Sequence, residues 1–185
     1  MRVMRGGGVR RRAAGLCVFL LAAVARADTG AQLAAAAAKQ VGVTTVYDPS
    51  YVRLTYPGGD VPPERGVCAD VIVRAFRQVG VDLQRELHED MRAHFGAYPR
   101  MWGLAAPDAN IDHRRVPNLM TFFARRGKAT RAAFARGDIV AWRLPGGLYH
   151  IGIVDDPPFV VHNIGRGTQR ENILFTYPII GHYRW

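Results

Sequence analysis

The stretch YHIGIVDDPPFVVHN, residues 149–163, decides the fold of this chain. Residues 149–154 form a short, mostly apolar segment that ends at the turn-forming run Asp-Asp-Pro-Pro, and residues 159–163 form a second such segment. Short apolar segments bounded by turn residues are typical of β-strands. The stretch therefore predicts two neighbouring strands, with His150 near the start of the first and His162 near the end of the second.

Further strands are predicted on both sides of this pair. Upstream, residues 138–144 alternate well enough for a strand, and Pro145-Gly146-Gly147 forms the turn that follows it. Downstream, residues 173–185 are expected to hold one or two more strands. Consecutive strands joined by short turns predict an antiparallel meander in the C-terminal half of the chain.

Helical spacing dominates the N-terminal half instead. A helix is predicted from just after Cys68 to Gly80, because its apolar residues recur at helical spacing. These residues are Val71, Ile72, Ala75, Phe76 and Val79. Further helices are expected over residues 82–95 and 118–126, the latter with Asn118 as its N-cap. Helices followed by an antiparallel meander predict the α+β class.

The first 27 residues have the layout of a secretory signal peptide. A basic start is followed by the apolar run 13–24 and by the small-x-small site Ala25-Arg26-Ala27. The apolar run has 12 residues, whereas a membrane-spanning helix needs about 20. Export to the periplasm or the medium is therefore expected, without stable membrane insertion. The choice between the general and the twin-arginine route stays open.

Removal of this leader changes the charge of the chain. The full sequence carries a formal charge of +10, and residues 1–27 contain six arginines and no acidic residue. The remainder therefore carries +4. Such a charge suits an anionic polymer such as a bacterial wall, and it is too small to argue for nucleic-acid binding. No nucleic-acid partner is expected.

The mature chain would contain one cysteine, Cys68, because Cys17 lies within the leader. In an oxidising compartment a single thiol is either buried and inert or kept for its reactivity. Cys68 stands where a loop becomes a helix, and the N–H groups and partial positive charge of a helix N-terminus stabilise a thiolate. This position predicts a nucleophile with a lowered pKa.

A thiol nucleophile needs a base, and the two predicted strands offer a pair of histidines. His150 and His162 are expected side by side, on a sheet face directed towards the helix that starts at Cys68. A base histidine is held in its reactive tautomer by a third polar group. Both His162 and Asn163, which points to the opposite face of its strand, are candidates for that group.

Three segments together resemble the strand signature of the NlpC-type, papain-like cell-wall cysteine peptidases: residues 137–142 (GDIVAW), 150–154 (HIGIV) and 159–162 (FVVH). Upstream, Tyr56-Pro57-Gly58-Gly59 ahead of Cys68 resembles the family's loop before the nucleophile. The resemblance implies a papain-like fold, with the catalytic cysteine at a helix N-terminus packed on an antiparallel sheet. It also implies the following roles: Cys68 as nucleophile, His150 as base, His162 as orienting residue and Tyr56 as oxyanion donor.

Within that family the chain is similar to a subgroup of uncharacterised bacterial proteins. The shared motifs are YDPSY at 47–51, IDHRRVPNL at 111–119 and HNIG at 162–165. The family has Asp-Cys-Ser at the nucleophile, where this chain has Val67-Cys68-Ala69, so the family's amine-binding acid does not carry over. Asp70 either takes that role or favours the helix N-terminus as any early acid would. Residues 82–116 form an insert outside the common core.

These observations predict a monomeric, exported cysteine hydrolase that cleaves amide bonds, above all in peptidoglycan stem peptides, without a cofactor or metal. The predicted organisation is a signal peptide at 1–27, a helical or linker segment at 28–45 and the hydrolase domain at 46–185. Candidates for contact with substrate or oxyanion are Tyr56, Asp70 and Asn163. Two alternatives stay open: a non-catalytic module that binds the wall or a partner, and a zinc site of Cys68, His150 and His162.

Overall fold

The computed structural model describes residues 29–185, and the predicted signal peptide at 1–27 lies outside the described residues. The helices are α1 over 29–38, α2 (Cys68–Gln78), α3 (Leu83–His94) and α4 (Val116–Arg125). The strands are β1 (Val46–Tyr47), β2 (Arg65–Gly66), β3 (Ile139–Arg143), β4 (Tyr149–Asp156), β5 (Phe159–Asn163), β6 (Thr168–Asn172) and β7 (Ile179–Tyr183). Within 29–185 no helix is long and apolar enough to cross a membrane.

Strands β3 to β7 form one sheet in which every neighbouring pair is antiparallel, in the order β6-β5-β4-β3-β7. Strands β3 to β6 follow one another as a meander, and β7 returns to the free edge of β3. The strands predicted at 138–144, 149–154 and 159–163 are present as β3, β4 and β5. The predicted α+β class, with helices first and an antiparallel meander after them, is confirmed.

Alternation along the strands gives this sheet two apolar faces. One face packs against the helices through residues such as Ile151 and Ile153. The other face buries Trp142 together with Leu174 from the segment after β6. Because His150 is paired with Trp142 in the register of β3 and β4, its side chain belongs to this second face.

The alanine-rich segment at 29–38 packs into the helix-side core, where Leu33 and Ala37 are fully buried. Its start meets the backbone just before β3. A Cβ on Gly137 would lie 2.1 Å from the carbonyl oxygen of Gly30, and the φ angle of Gly137 is +86°. Both the space and the backbone conformation therefore require glycine at position 137.

Asp138, the residue after this glycine, fastens the last strand to the sheet. Its buried carboxylate accepts hydrogen bonds from His182 Nε2 at 2.7 Å and from the guanidinium of Arg184, also at 2.7 Å. It accepts a further bond from the N–H of Ala135 at 2.8 Å. The Gly-Asp pair at the start of β3 is therefore explained by packing and by the attachment of β7.

Two details differ from the sequence-based expectation. Strand β6 is not predicted, because its residues Thr-Gln-Arg-Glu-Asn are polar and it lies at an edge of the sheet with little apolar surface to bury. Helix α4 begins at Val116, since Pro117 suits the first turn of a helix. Asn118 is therefore not the N-cap, and its Nδ2 donates to the carbonyl oxygen of Asp112 at 3.1 Å.

Candidate active site

Cys68 is the first residue of α2, at the helix N-terminus where the sequence predicts it. The residue before it, Val67, is extended, and its N–H donates to the carboxylate of Asp70 at 2.6 Å. Gly66 passes so close to this carboxylate that a Cβ at position 66 would lie 2.9 Å from Asp70 Oδ2. Asp70 thus ties the loop before Cys68 to the first turn of α2.

The environment of the thiol differs from the expectation of a lowered pKa. Cys68 is only 5% exposed. Burial raises the pKa of Cys68 to about 12, the charge of Asp70 adds to the rise, and the N–H groups of Ile151, Ala69 and Cys68 itself oppose it. The predicted lowering is wrong, because the loss of solvation outweighs the N–H groups at the start of the helix.

His150 and His162 lie side by side on β4 and β5. His150 Nε2 and His162 Nδ1 are 2.9 Å apart, and the two rings stand at 84° to one another. Asn163 takes no part in this contact, since its Nδ2 donates to the carbonyl oxygen of Gly66 at 3.0 Å. Of the two candidates for orienting the base, His162 therefore contacts the ring of His150, while Asn163 binds the loop before Cys68.

Trp142 supports the ring of His150 from a second direction. The two rings are stacked with their centroids 5.6 Å apart and 22° between their planes. Trp142 is itself fixed, because its Nε1 donates to the carbonyl oxygen of Leu174 at 3.0 Å. Burial lowers the pKa of His150 to about 3, and the charge of the neighbouring His162 contributes to the lowering. The imidazole is therefore neutral, which is the form that a general base requires.

Cys68 lies close to the start of β4, the strand that carries His150. The backbone N–H of Ile151, the residue that follows His150, partly offsets the rise in the pKa of Cys68, and the ring of His150 stacks on that of Trp142. The two histidines share one face of the sheet, and the expected approach of the His150 ring to the thiol stays a prediction. Since His150 Nε2 is engaged with His162, Nδ1 is the ring nitrogen left to take a proton.

Asp70 belongs to the scaffold of the site. Its two oxygens accept hydrogen bonds from Arg114 Nε at 2.9 Å and Nη2 at 3.0 Å, in an almost fully buried ion pair. Arg114 also donates to the carbonyl oxygens of Ser50 and Asp48. With both oxygens engaged, Asp70 acts as the early helical acid and as a loop anchor, and it is not free to hold a substrate amine.

Tyr56, the predicted oxyanion donor, lies away from the thiol. Its ring packs on His88 of α3, with the ring centroids 5.1 Å apart. The loop that carries it is tied to α3, because the side chain of Gln84 accepts the N–H of Gly59 at 2.8 Å and donates to the carbonyl oxygen of Thr55 at 3.0 Å. This attachment keeps Tyr56 at the outer surface.

Tyr47, unlike Tyr56, is one of the tyrosines that line the site. It is paired with Gly66 in the short parallel ladder between β1 and β2, and it lines the same groove as Cys68. Burial raises the pKa of Tyr47, and the charge of Asp70 acts in the same direction. In the sequence Tyr47 opens the YDPSY motif, which indicated the subgroup but no role.

Cys68 lines a groove of about 520 Å³. The groove surface is mainly aromatic and apolar, with two arginines, and none of the described residues that line it is acidic. Its aromatic members are Tyr47, Tyr51, Trp102 and Tyr149, and its arginines are Arg114 and Arg115. The buried His150 and His162 are not among the described lining residues. The groove therefore offers aromatic and apolar contact beside the thiol, and its two arginines are paired with Asp70 and Asp112.

The insert at 82–116 builds one wall of this groove. Asp108 and Asn110 hold Tyr51 in place, since the Tyr51 hydroxyl donates to Asp108 at 3.0 Å and accepts from Asn110 Nδ2 at 3.0 Å. Trp102 has a φ angle of +61°, a left-handed conformation that is strained for a bulky residue. The guanidinium of Arg115 lies 4.2 Å from the centre of its ring. A strained, half-exposed tryptophan in a groove is typical of a ligand-binding wall.

A carboxylate that the sequence analysis missed, Glu171 on β6, reaches the histidine pair. Glu171 Oε2 lies 3.1 Å from His162 Nε2, and Glu171 Oε1 lies 2.8 Å from Arg166 Nη2. Burial lowers the pKa of His162, although the charge of Glu171 acts in the opposite direction. No sequence signal identifies Glu171, because it lies in the polar edge strand that the pattern does not predict.

Residues 34–185 match the family described as "Domain of unknown function (DUF1287)". "Uncharacterized protein YijF" of Escherichia coli (strain K12) is 52% identical over 171 residues, which covers 86% of this chain and 83% of that protein. Among solved structures, the "Structure of NlpC1 from Trichomonas vaginalis" is similar with a TM-score of 0.48 and 13% identity over 84% of this chain. The match covers 44% of the NlpC1 chain, so this chain spans less than half of its length.

Proposed function

This chain belongs to the DUF1287 family, and we propose that it is a cysteine hydrolase that cleaves amide bonds. One observation carries the proposal: the thiol of Cys68 stands at a helix N-terminus and in a groove, next to the strand start where His150 is bound by His162 at 2.9 Å. A thiol, a neutral imidazole and a group that orients the imidazole are the parts that thiol acyl transfer needs.

In the first proposed step, Cys68 attacks the carbonyl carbon of the substrate amide while His150 Nδ1 takes the thiol proton. Both groups are neutral at rest, so the proton moves together with the attack instead of being transferred beforehand. The negative oxygen of the tetrahedral intermediate is stabilised by N–H groups at the start of α2. Its collapse breaks the C–N bond, and the proton on His150 leaves with the amine.

In the second proposed step, a water molecule hydrolyses the thioester. His150 takes a proton from the water as the hydroxyl attacks the carbonyl carbon. Collapse of this intermediate breaks the C–S bond, and His150 returns the proton to the Cys68 sulfur. The carboxylic acid leaves, and the site regains its resting state.

The groove supports an anionic peptide as the substrate class, and we propose peptidoglycan stem peptides. Arg115 lies in the groove wall, where Asp112 binds one of its nitrogens at 3.3 Å, and none of the described lining residues is acidic, so a carboxylate meets no like charge on the lining. The half-exposed Tyr51 and Trp102 add flat apolar surface. We further propose export to the periplasm or the medium, on the basis of the leader at 1–27 and the +4 charge that follows it.

Digestion of purified muropeptides tests this function, with the masses of the products as readout. Wild-type protein should release new fragments whose masses correspond to addition of water across an amide bond. Cys68→Ala should release none, because no nucleophile is left. If neither protein changes the masses while both are folded by circular dichroism, peptidoglycan is not the substrate.

A second candidate, a non-catalytic module that binds the wall or a partner, is favoured by the burial of Cys68 and its raised pKa. Pull-down on insoluble peptidoglycan separates the two functions. A non-catalytic module would bind peptidoglycan equally well in its wild-type and Cys68→Ala forms, and neither form would cleave it. The zinc alternative fits less well, because His150 Nε2 and His162 Nδ1 face one another, and no three His, Cys, Asp or Glu side chains within 29–185 form a metal-binding group.

A further inference from the structure

Glu171 stands at the far end of a line of polar contacts that begins at His150. On the sheet it lies diagonally across from His162, since His162 pairs with Gln169 and Glu171 is two residues further along β6. The distances along the line are 2.9 Å from His150 Nε2 to His162 Nδ1 and 3.1 Å from His162 Nε2 to Glu171 Oε2. The last contact is at ion-pair distance and is not aligned as a hydrogen bond.

The proton positions along this line depend on one another. A neutral imidazole carries one N–H, so of the two facing nitrogens one donates and the other accepts. If His150 Nδ1 is to accept a proton, the N–H of His150 must be on Nε2, where it donates to His162 Nδ1. The N–H of His162 is then on Nε2, which faces Glu171. The reverse arrangement puts an N–H on His150 Nδ1 and leaves that ring unable to act as a base.

We propose that Glu171 is a positioning residue that selects the first arrangement, by favouring an N–H on His162 Nε2 and through it an N–H on His150 Nε2. The proposal rests on the proposed function, because it assigns Glu171 a part in preparing the base. A carboxylate accepts hydrogen bonds and donates none, so Glu171 discriminates between the two tautomers of His162.

The surroundings of Glu171 fit this role. His162 Nε2 is buried, and no described residue makes a geometrically aligned hydrogen bond to it, so the nearby carboxylate is the group that acts on its proton. Arg166 binds the other carboxylate oxygen at 2.8 Å and keeps the negative charge in place. Glu86 of α3, a carboxylate paired at the surface with Arg126, is the matched control, because the contacts of His150 and His162 do not involve it.

The test is the tautomer of each histidine, read by ¹⁵N-edited NMR of protein labelled at the imidazole nitrogens. In wild-type protein both His150 and His162 should carry their N–H on Nε2. In Glu171→Ala a measurable fraction should move to Nδ1, and Glu171→Gln should retain part of the wild-type preference through its carbonyl oxygen. Glu86→Ala should keep the wild-type tautomers, because Glu171 still faces His162 Nε2.

The kinetic counterpart is a fall in kcat with little change in KM. Loss of a group that orients a functional side chain typically costs roughly 10- to 100-fold, and we expect Glu171→Ala in that range. A wild-type His162 with its N–H on Nδ1 would overturn the proposal without any variant. So would a folded Glu171→Ala that keeps both tautomers and its kcat. If the wild-type protein carries both N–H groups on Nε2 but hydrolyses no amide, the hydrolase function is contradicted and the tautomer assignment is not.

Discussion

Gly152 and His162 lie so close across β4 and β5 that a Cβ on Gly152 would be 3.1 Å from the Cβ of His162. The same added atom would be 2.6 Å from a methyl group of Val160, which is too close for any real contact. The glycine two residues after His150 is therefore what allows His162 to approach the strand of the base. This gives the His-x-Gly pattern a steric explanation.

Gly152→Ala should destabilise the protein and displace His162 from His150. Overpacking of a buried site costs about 1–3 kcal/mol, and we expect a loss of free energy of unfolding in that range together with a lower kcat. Urea unfolding and muropeptide digestion measure the two effects. Gly96→Ala is the control, because a Cβ there meets nothing within 4 Å, and it should change neither quantity. A Gly152→Ala protein with the wild-type free energy of unfolding and the wild-type kcat would contradict the steric explanation.

Cys68 should react slowly with iodoacetamide in the native protein. Its pKa is raised to about 12 by burial, so the thiolate is scarce at neutral pH, whereas a free cysteine has a pKa of about 8.5. The alkylation rate, followed by mass spectrometry, should keep rising with pH beyond about 10. The urea-unfolded chain is the control and should follow the free thiol. A native rate that reaches its plateau below pH 8 would show a thiolate formed beforehand.

His150→Ala should lose nearly all turnover, by about 10²- to 10⁴-fold, because it removes the base. His162→Ala should retain measurable activity, since that residue only orients the base. His94→Ala, on the exposed end of α3, is the control and should match the wild type. The turnover rate of the wild-type protein should be unchanged after treatment with a chelator. Complete loss in both variants, with activity restored by zinc after chelation, would favour the metal alternative instead.

Asp70→Asn should cost stability, because it leaves the buried guanidinium of Arg114 without a charge partner. Removing one partner of a buried ion pair typically costs about 3–5 kcal/mol. Glu86→Gln, in a surface pair with Arg126, should cost less than about 1 kcal/mol. Urea unfolding compares the two variants. If Asp70 instead held a substrate amine, the variant would keep its stability and raise KM.

The protein should lose stability as the pH falls from about 6.5 towards 4. Burial lowers the pKa of His113 to about 4 and that of His150 to about 3, and it lowers the pKa of His162 as well. In this range the unfolded chain binds protons that the native protein does not, so acid favours unfolding. Each histidine contributes up to about 1.4 kcal/mol per pH unit.

Urea unfolding at about pH 7 and about pH 5 measures this effect, because carboxylates with lowered pKa values act only below about pH 4. Gly96→Ala is a suitable control, since it changes no titratable group and a Cβ there meets nothing within 4 Å, and the difference between the two pH values should not change. Equal free energies of unfolding at both pH values would contradict the assignment of buried, neutral histidines.

The sequence by itself determined the α+β class, the place of Cys68 at a helix N-terminus and the pairing of His150 with His162. Each of these depends on local patterns: helical spacing after Cys68, strand segments of alternating side chains, and one short turn between two histidines. Such patterns act over a few residues, so they can be read without knowing how distant segments pack.

The tertiary structure alone decided that Tyr47 and not Tyr56 lines the groove of the thiol, how Asp70 is used, that Glu171 contacts His162 and that Cys68 has a raised pKa. Gln84 binds the loop of Tyr56 to α3, and Arg114 forms an ion pair with Asp70, which is 44 residues away in the sequence. The pKa of the thiol is set by how much solvent the surrounding segments exclude. Burial and contacts between distant segments arise only when the whole chain packs, and no local pattern encodes them.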